Sequence, residues 1–183
     1  YPQDSDFRQD NNFFYLTGLE TPRSWLVLVA RAGGEDEVIL YVPPRDTAAE
    51  RWTGPQLGPG PEATRISGIR DVRSSANAVA EIERLLQTET ATGQAIDVAS
   101  HLAAMRLVKD DDELRRLRRA IEITTEAQRE AMRALEPGMW EYELEALIEY
   151  TFRRRGAERV GFPSIVGSGP NSTILHYDKS RRQ

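Results

Sequence analysis

Histidines are the first candidates for chemistry in this chain of 183 residues, which contains two of them, His101 and His176. Imidazole ordinarily titrates near neutral pH, so a histidine suits proton transfer or hydrogen bonding at a reacting bond. The sequence contains no cysteine, which excludes a thiol nucleophile, a thiolate metal site and a disulfide scaffold. We interpret His101, beside Ser100, as a structural residue.

The segment around His176, residues 162–177, differs from the rest of the chain in its glycine spacing. Gly167 and Gly169 permit a tight backbone path with positive φ, which ordinary loops also use. The apolar pair Ile174-Leu175 precedes the histidine, an arrangement found for hydrogen-bonded core histidines as well as for active-site ones. From these residues alone, the core interpretation is favoured.

Other catalytic signatures are missing from the sequence. Residues 167–170 resemble a Gly-x-Ser-x-Gly nucleophile elbow but have the wrong spacing, and neither a dinucleotide-binding nor a phosphate-binding glycine motif occurs. Four carboxylates lie on one predicted helix without a histidine at metal-binding spacing. We predict a solvated charged face for these side chains, which are Glu141, Glu143, Glu145 and Glu149.

Composition narrows the functional class. The chain is 39% hydrophobic and 29% charged, with a net charge of −5, so a basic nucleic-acid surface is not expected. No apolar run has the length of a membrane span and no signal peptide is visible, so we expect no membrane association. The lack of cysteine fits the cytoplasm. The first residue is Tyr1, and we expect the chain to begin inside a longer protein.

The elements that position these residues fall into two halves. In the first half, hydrophobic patterns predict strands at residues 25–30 and 38–42, which form a hairpin or lie side by side, and a short strand at 95–98. Helices are predicted at 45–52 and 76–86, and glycine and proline predict a loop at 56–62. In the second half, the patterns predict a helix capped at Asp110, a helix over 140–155 with Leu144, Leu147, Ile148 and Phe152 inward, and strand-like sequence over 161–177. A break between the two halves of the chain is predicted near residues 99–109.

Five blocks of residues, in order along the chain, carry a family resemblance. They are residues 7–10 with 13–18, the strand at 26–29, residues 105–109 with 113–114, residues 136–139 with 141–144, and residues 165–169 with Asn171 and 174–177. On these blocks the chain resembles the aminopeptidase P (Xaa-Pro aminopeptidase) branch of the creatinase/prolidase/methionine aminopeptidase superfamily. The catalytic domain of that superfamily has the pita-bread fold.

The resemblance implies an α/β (α+β) fold in two parts. Residues 1–100 would form a creatinase-like amino-terminal domain whose start is missing, and residues 105–183 would begin a pita-bread metallopeptidase domain. The family's metal ligands are two aspartates, a histidine and two glutamates, all downstream of the block that ends at Tyr177. We therefore expect the ligands to lie beyond Gln183 and no metal in this chain, and we do not interpret Asp178 as a ligand.

The resemblance also implies roles for two residues. His176 corresponds to a family histidine that lines the active site, contacts the substrate and assists proton movement at the scissile bond. Trp52 resembles a tryptophan that helps to wall the substrate pocket of a neighbouring subunit. The alternative for Trp52 is core packing on an amphipathic helix.

The implied function is that of a manganese-dependent metalloaminopeptidase. The whole protein would use two divalent metal ions to release the amino-terminal residue from peptides with proline in second position, as a cytoplasmic homo-oligomer. The 183-residue chain itself is expected to be inactive. Two alternatives stay open: a non-catalytic pita-bread module that binds peptides or proteins, and a prolidase or creatinase relative with another substrate.

Overall fold

The computed structural model describes residues 7–31, 33–89 and 97–183, and the chain divides into two compact units, Tyr1–Met105 and Arg106–Gln183. In the first unit the elements are α1 (Asn11–Thr17), β1 (Trp25–Val29), β2 (Glu37–Val42), α2 (Glu50–Thr53), α3 (Pro61–Ser67), β3 (Asp71–Ser74), a 3₁₀ turn (Ser75–Asn77) and α4 (Ala78–Glu89). Then follow α5 (Ala99–Leu107), α6 (Asp111–Ala134), α7 (Glu141–Arg154) and a 3₁₀ helix (Gly169–Thr173).

A three-stranded sheet organises the first unit, with β2 at its centre. β1 pairs antiparallel with β2, which confirms the predicted hairpin, and β3 pairs parallel with β2 on its other side. The last four residues of β2, Ile39–Val42 in sequence order, are fully buried. A central strand that is covered on both faces needs a continuous apolar run rather than an alternating one.

The two faces of β2 belong to two separate core clusters. Leu40 and Val42 pack with Leu19 on one face, whereas Ile39 and Tyr41 pack with Ala78 at the start of α4 on the other. Successive side chains of a strand point to opposite faces, so one strand supplies both clusters. The predicted helix over 76–86 is confirmed as the element that covers the second face.

Two predicted elements of the first unit have the wrong limits, and one strand is not predicted at all. The helix expected at 45–52 is only Glu50–Thr53, because residues 47–49 form a turn in which the Asp46 carboxylate accepts the Ala48 and Ala49 N–H groups, at 2.9 and 3.1 Å. The loop expected at 56–62 ends where α3 begins at Pro61, a residue that fits a first helical turn. β3 was not expected, because its residues DVRS lack an apolar pattern.

The segment between the predicted halves is helical. α5 runs from Ala99 to Leu107, and the division between the two units, at Met105–Arg106, falls inside this helix and within the predicted break at 99–109. Of the strand predicted at 95–98, residues 95 and 96 lie outside the described residues. Asp97 and Val98 are not in a strand, and the Asp97 carboxylate accepts a hydrogen bond from the Ala99 N–H at 2.9 Å.

The second unit is built on a hairpin of α6 and α7. Asp110 caps α6 as predicted, and its carboxylate and that of Glu113 each accept the other's backbone N–H, at 2.8 and 2.9 Å. The buried side of α6 carries Ile123, Ala127 and Ala131, at a spacing of four residues, and small residues there let α7 approach closely. Leu114 is half-buried, whereas Leu117, Ile121 and Met132 of α6 are exposed, as is Leu135 at its C-cap.

The strand-like prediction for residues 161–177 is wrong. The only regular element that the structure describes there is the 3₁₀ helix Gly169–Thr173, with irregular backbone on both sides. The described part of the second unit contains no strand that could pair with this segment. Its polar groups are satisfied instead by a side chain of α7.

The first prediction concerns the central strand. Leu40→Ala should destabilise the first unit by about 2–5 kcal/mol, because it removes a fully buried side chain from a packed cluster. Val38→Ala, at a 41% exposed position of the same strand, should cost about 1 kcal/mol or less. Urea unfolding followed by Trp25 fluorescence, with Trp52 and Trp140 replaced by Phe, measures both values. Equal losses for the two variants would contradict the described core.

Candidate functional site

Glu141, the first residue of α7, is a carboxylate buried in the second unit, with 4% of the residue exposed. Its position in the first helical turn suits a negative charge, because the free N–H groups and the dipole of the helix are positive at that end. The prediction that Glu141 belongs to a solvated charged face is therefore wrong. Glu143, two residues later, is exposed and caps the helix by accepting the Trp140 N–H at 2.7 Å.

The Glu141 carboxylate accepts hydrogen bonds from five donor groups. Oε1 accepts from the Ser168 N–H at 2.6 Å, the Ser168 hydroxyl at 2.9 Å and the Asn171 amide at 3.0 Å. Oε2 accepts from the Tyr177 hydroxyl at 2.8 Å and the Arg182 N–H at 2.9 Å. One side chain thus gathers three separate stretches of the chain.

The pKa of Glu141 reflects a competition between two effects. Burial raises the pKa of this carboxyl, whereas the hydrogen bonds from Ser168, Arg182, Asn171 and Tyr177 stabilise the charged form and lower it. The hydrogen bonds outweigh burial, and the pKa falls to about 2. Glu141 is therefore a permanent anion at neutral pH.

The last residues of the chain fold back onto the start of α7. The Glu141 N–H donates to the Arg182 carbonyl at 2.8 Å, and the Gln183 side-chain amide donates to the Gly138 carbonyl at 2.8 Å. Ser180 is buried, with 1% of the residue exposed. Hydrogen bonds and the burial of Ser180 therefore tie residues 180–183 to the start of α7, although the other residues of the segment 178–183 are exposed. Asp178 pairs with Lys179 at 3.1 Å.

His176 lies in the turn that Glu141 holds. Its side chain is exposed and its backbone has φ 56°, in the left-handed region that few residues other than glycine adopt. Leu175 beside it is 90% exposed and Ile174 is 52% exposed. The interpretation of His176 as a core histidine is therefore wrong for this structure, and its catalytic and substrate-binding role stays a prediction.

The other singled-out residues lie elsewhere on the surface. Trp52 is 91% exposed at the end of α2 in the first unit, so the alternative that it packs in the core is wrong, and its place in a substrate pocket stays a prediction. His101 is exposed on α5, so it is not a core residue, and the interpretation that it has no chemical role stays a prediction. Within the described ranges, no group of three or more histidine, aspartate or glutamate side chains could hold a metal ion.

Glu141 is the residue that sequence reasoning missed, although a signal for it exists. It precedes the inward-facing Leu144 by three residues and Ile148 by seven, which is the spacing of one helix face. A single prediction for all four glutamates of the helix does not distinguish Glu141, which lies on the buried side. Glu149 also has a specific partner, since it accepts a hydrogen bond from the Ser164 hydroxyl at 2.6 Å.

Two family models match the chain. The aminopeptidase P amino-terminal domain matches residues 1–93, and the metallopeptidase family M24 matches residues 115–183. Xaa-Pro aminopeptidase from Escherichia coli is 32% identical over 95% of this chain and 46% of its own length. The enzyme of the same name from Haemophilus influenzae is 30% identical over 96% of this chain and 45% of its own length. The chain therefore spans about half the length of these curated relatives.

Solved structures agree with the sequence matches. Proline aminopeptidase P II from Yersinia pestis superposes with a TM-score of 0.87 at 30% identity, over 99% of this chain and 49% of that one. Zinc-substituted aminopeptidase P from Escherichia coli, in complex with product, superposes with a TM-score of 0.89 at 31% identity, over 99% of this chain and 48% of that one.

The fold and these matches define a protein of the metallopeptidase M24 class, with an α/β amino-terminal domain followed by part of a pita-bread domain, which confirms the predicted fold class. Within that class, the chain belongs to the aminopeptidase P family. The resemblance inferred from the five sequence blocks is thereby confirmed.

The second prediction concerns pH. The folded-state pKa of Glu141, about 2, lies below the ordinary value of 4.5, so its contribution to stability is fully present above about pH 4.5 and is lost as the pH falls towards 2. The difference in unfolding free energy between the wild type and Glu141→Gln should therefore be constant near neutral pH and shrink below about pH 4.5. Trp140 fluorescence, with Trp25 and Trp52 replaced by Phe, follows the unfolding of the second unit.

Glu143→Gln is the matched control for this prediction. It removes the same charge from the same helical turn, but a glutamine oxygen can still accept the Trp140 N–H. We expect it to be close to the wild type at pH 7. A Glu141→Gln difference that is as large at pH 2.5 as at pH 7 would show that the carboxylate is not the stabilising species.

Proposed function

We propose that the whole protein, of which this chain matches about half, is a metal-dependent aminopeptidase that releases the amino-terminal residue from Xaa-Pro peptides. The observation that carries the proposal is the segment 167–177, which contains the family block around His176 and is tied to α7 through Glu141. The exposed histidine in this hydrogen-bonded turn favours an enzyme over a binding module without catalysis. The domain limits 1–100 and 105–183 are part of the same proposal.

His176 is the residue of this chain that we assign to the reaction. Its exposed imidazole can donate or accept a hydrogen bond at the scissile peptide bond, and it can assist proton movement to or from the substrate there. Ile174 and Leu175, beside His176, are exposed apolar side chains. They would exclude water from the surroundings of the imidazole once another surface covers them. In this proposal His176 both binds the substrate and takes part in catalysis.

The metal ions would be bound by residues outside this chain. The donor groups that the structure describes do not converge on any point in threes, so they do not fit a dinuclear site, and we assign no reaction step to a metal here. A relative of this chain has been solved in a zinc-substituted form. We propose divalent ions for the whole protein, with manganese as the physiological metal, which suits ligands that are mostly carboxylates.

The proposal of a homo-oligomer rests on the exposure of Trp52. An indole that is 91% exposed presents a large apolar surface, and such side chains are enriched where another surface covers them. We propose that Trp52 walls the substrate pocket of a neighbouring subunit in a homo-oligomer. The cytoplasm is the proposed location, on the lack of cysteine. None of the described helices has the length and apolar character to cross a membrane.

The third prediction is that the 183-residue chain does not catalyse the reaction. Of this chain's residues we assign only His176 to the reaction itself, and a dinuclear centre needs several converging carboxylates, which the described residues do not supply. Incubation with manganese and an Xaa-Pro peptide should release no amino acid above a protein-free blank. Metal-dependent turnover by the purified chain would overturn the assignment of the ligands to residues beyond Gln183.

The fourth prediction concerns His176 in the whole protein. Replacement by Ala or Gln should leave folding and bound metal unchanged and lower turnover about 10²-fold to 10⁴-fold, the usual loss for a positioned proton-transfer group. His101→Gln, the change of the other histidine, is the control and should retain full activity. If the His176 variants lose several degrees of melting temperature but keep their turnover per folded molecule, His176 is a packing residue.

A further inference from the structure

The hydrogen bonds of Glu141 join a rigid helix to the segment that carries His176. Asn171 lies five residues before His176 and Tyr177 directly follows it, and both side chains donate to the Glu141 carboxylate, at 3.0 and 2.8 Å. The Asn171 amide also donates to the Tyr177 hydroxyl at 3.0 Å. The turn that contains His176 is therefore closed at both ends by one carboxylate.

The chemistry of the partners requires an acceptor without donors at position 141. All five groups that reach the carboxylate donate, from two backbone N–H groups, two hydroxyls and one amide. A glutamine would turn its own NH₂ group towards some of these donors, and at least one of them would lose its partner. Leaving a buried donor unpaired is more unfavourable than losing an average hydrogen bond.

The backbone of the turn needs to be held. His176 has φ 56°, and a residue with a side chain keeps such a conformation only where its surroundings impose it. The same segment is also closely packed at Gly167. A Cβ atom at this position would lie only 2.9 Å from the Asn171 carbonyl oxygen. The backbone conformation from which the His176 imidazole projects thus depends on contacts made by its neighbours.

We propose that Glu141 is a positioning residue, which acts through Asn171 and Tyr177 to fix the direction of the His176 imidazole towards the substrate. This inference rests on the proposed catalytic role of His176. Glu141 itself is buried and touches neither substrate nor metal in this account. Its removal should therefore impair catalysis only to the extent that His176 contributes to it.

The first experiment uses hydrogen exchange in the 183-residue chain. In Glu141→Gln, protection of the Ser168 and Arg182 amides should fall at least about tenfold, while amides in the middle of α6 keep their protection. Glu143→Gln should match the wild type throughout. If Glu141→Gln does not fold, Tyr177→Phe removes one donor alone, and the loss of protection should then be confined to the same segment. Unchanged Ser168 and Arg182 protection in the folded variants would overturn the proposal.

The decisive experiment is a double-mutant cycle in the whole protein, with kcat and KM measured for an Xaa-Pro peptide. Glu141→Gln should lower kcat about 10-fold to 100-fold, the effect of displacing a catalytic group by about 1 Å, with KM within about twofold of the wild type. In a His176→Gln background the same change should lower kcat less than about threefold, because the residue on which Glu141 acts is already gone.

The outcomes of the cycle separate the two claims. If His176→Gln retains wild-type turnover, the proposed role of His176 fails, and the inference about Glu141 fails with it. If His176→Gln loses turnover but Glu141→Gln lowers kcat by the same factor in both backgrounds, Glu141 has a general structural role and only the inference is overturned. A wild-type kcat in Glu141→Gln overturns it as well.

Discussion

The second unit depends on one buried anion. A carboxylate without water must find hydrogen-bond donors, and Glu141 receives five of them from residues 27 to 41 positions further along the chain. The start of α7 adds the favourable field of a helix amino terminus. Because every partner donates, the interaction defines the charge state of Glu141 as well as the path of the chain around it. The 3₁₀ helix, the turn at His176 and the final residues are all arranged about this group.

The rest of the unit supplies a firm support for that anion. α6 and α7 meet through Ile123, Ala127 and Ala131, and the Arg155 side chain donates to the Glu126 carboxylate at 2.7 Å across the hairpin. The first unit is built on a different principle. There β2 is an apolar strand covered on both faces, and its core needs no buried charge. Each unit thus carries its own source of stability.

Elements with local signals were predictable from the sequence. The hairpin of β1 and β2, the cap of α6 at Asp110 and the lengths of α4, α6 and α7 follow from hydrophobic period and capping chemistry, which act within a few residues. α3 and β3 were missed because each is short and lacks an apolar pattern of its own. The hydrogen bonds of Asp46 that hold the turn before α2 are likewise not encoded in hydrophobic periodicity.

The candidate site was predictable only in part. The glycine-bearing block at 165–177 identified the segment and the family, but its strand-like composition predicted the wrong backbone, because the partner that shapes it lies on another element. Long-range hydrogen bonds leave little trace in a single sequence. The residue types alone did not decide the exposure of His176 and Trp52, since histidine and tryptophan occur both in cores and on surfaces. The family resemblance, which implies active-site positions for both, favoured exposure.

The pKa of the Glu141 carboxyl group tests most directly whether the five donors hold this carboxylate and so organise the second unit. A ¹³C NMR titration of the side-chain carboxyl carbon in the 183-residue chain, assigned through Glu141→Gln, reports that pKa without reference to activity. The five donated hydrogen bonds predict a value of about 2. A value near 4.5, the ordinary one for glutamate, would contradict the account, because it would mean that the donors do not hold the carboxylate in solution.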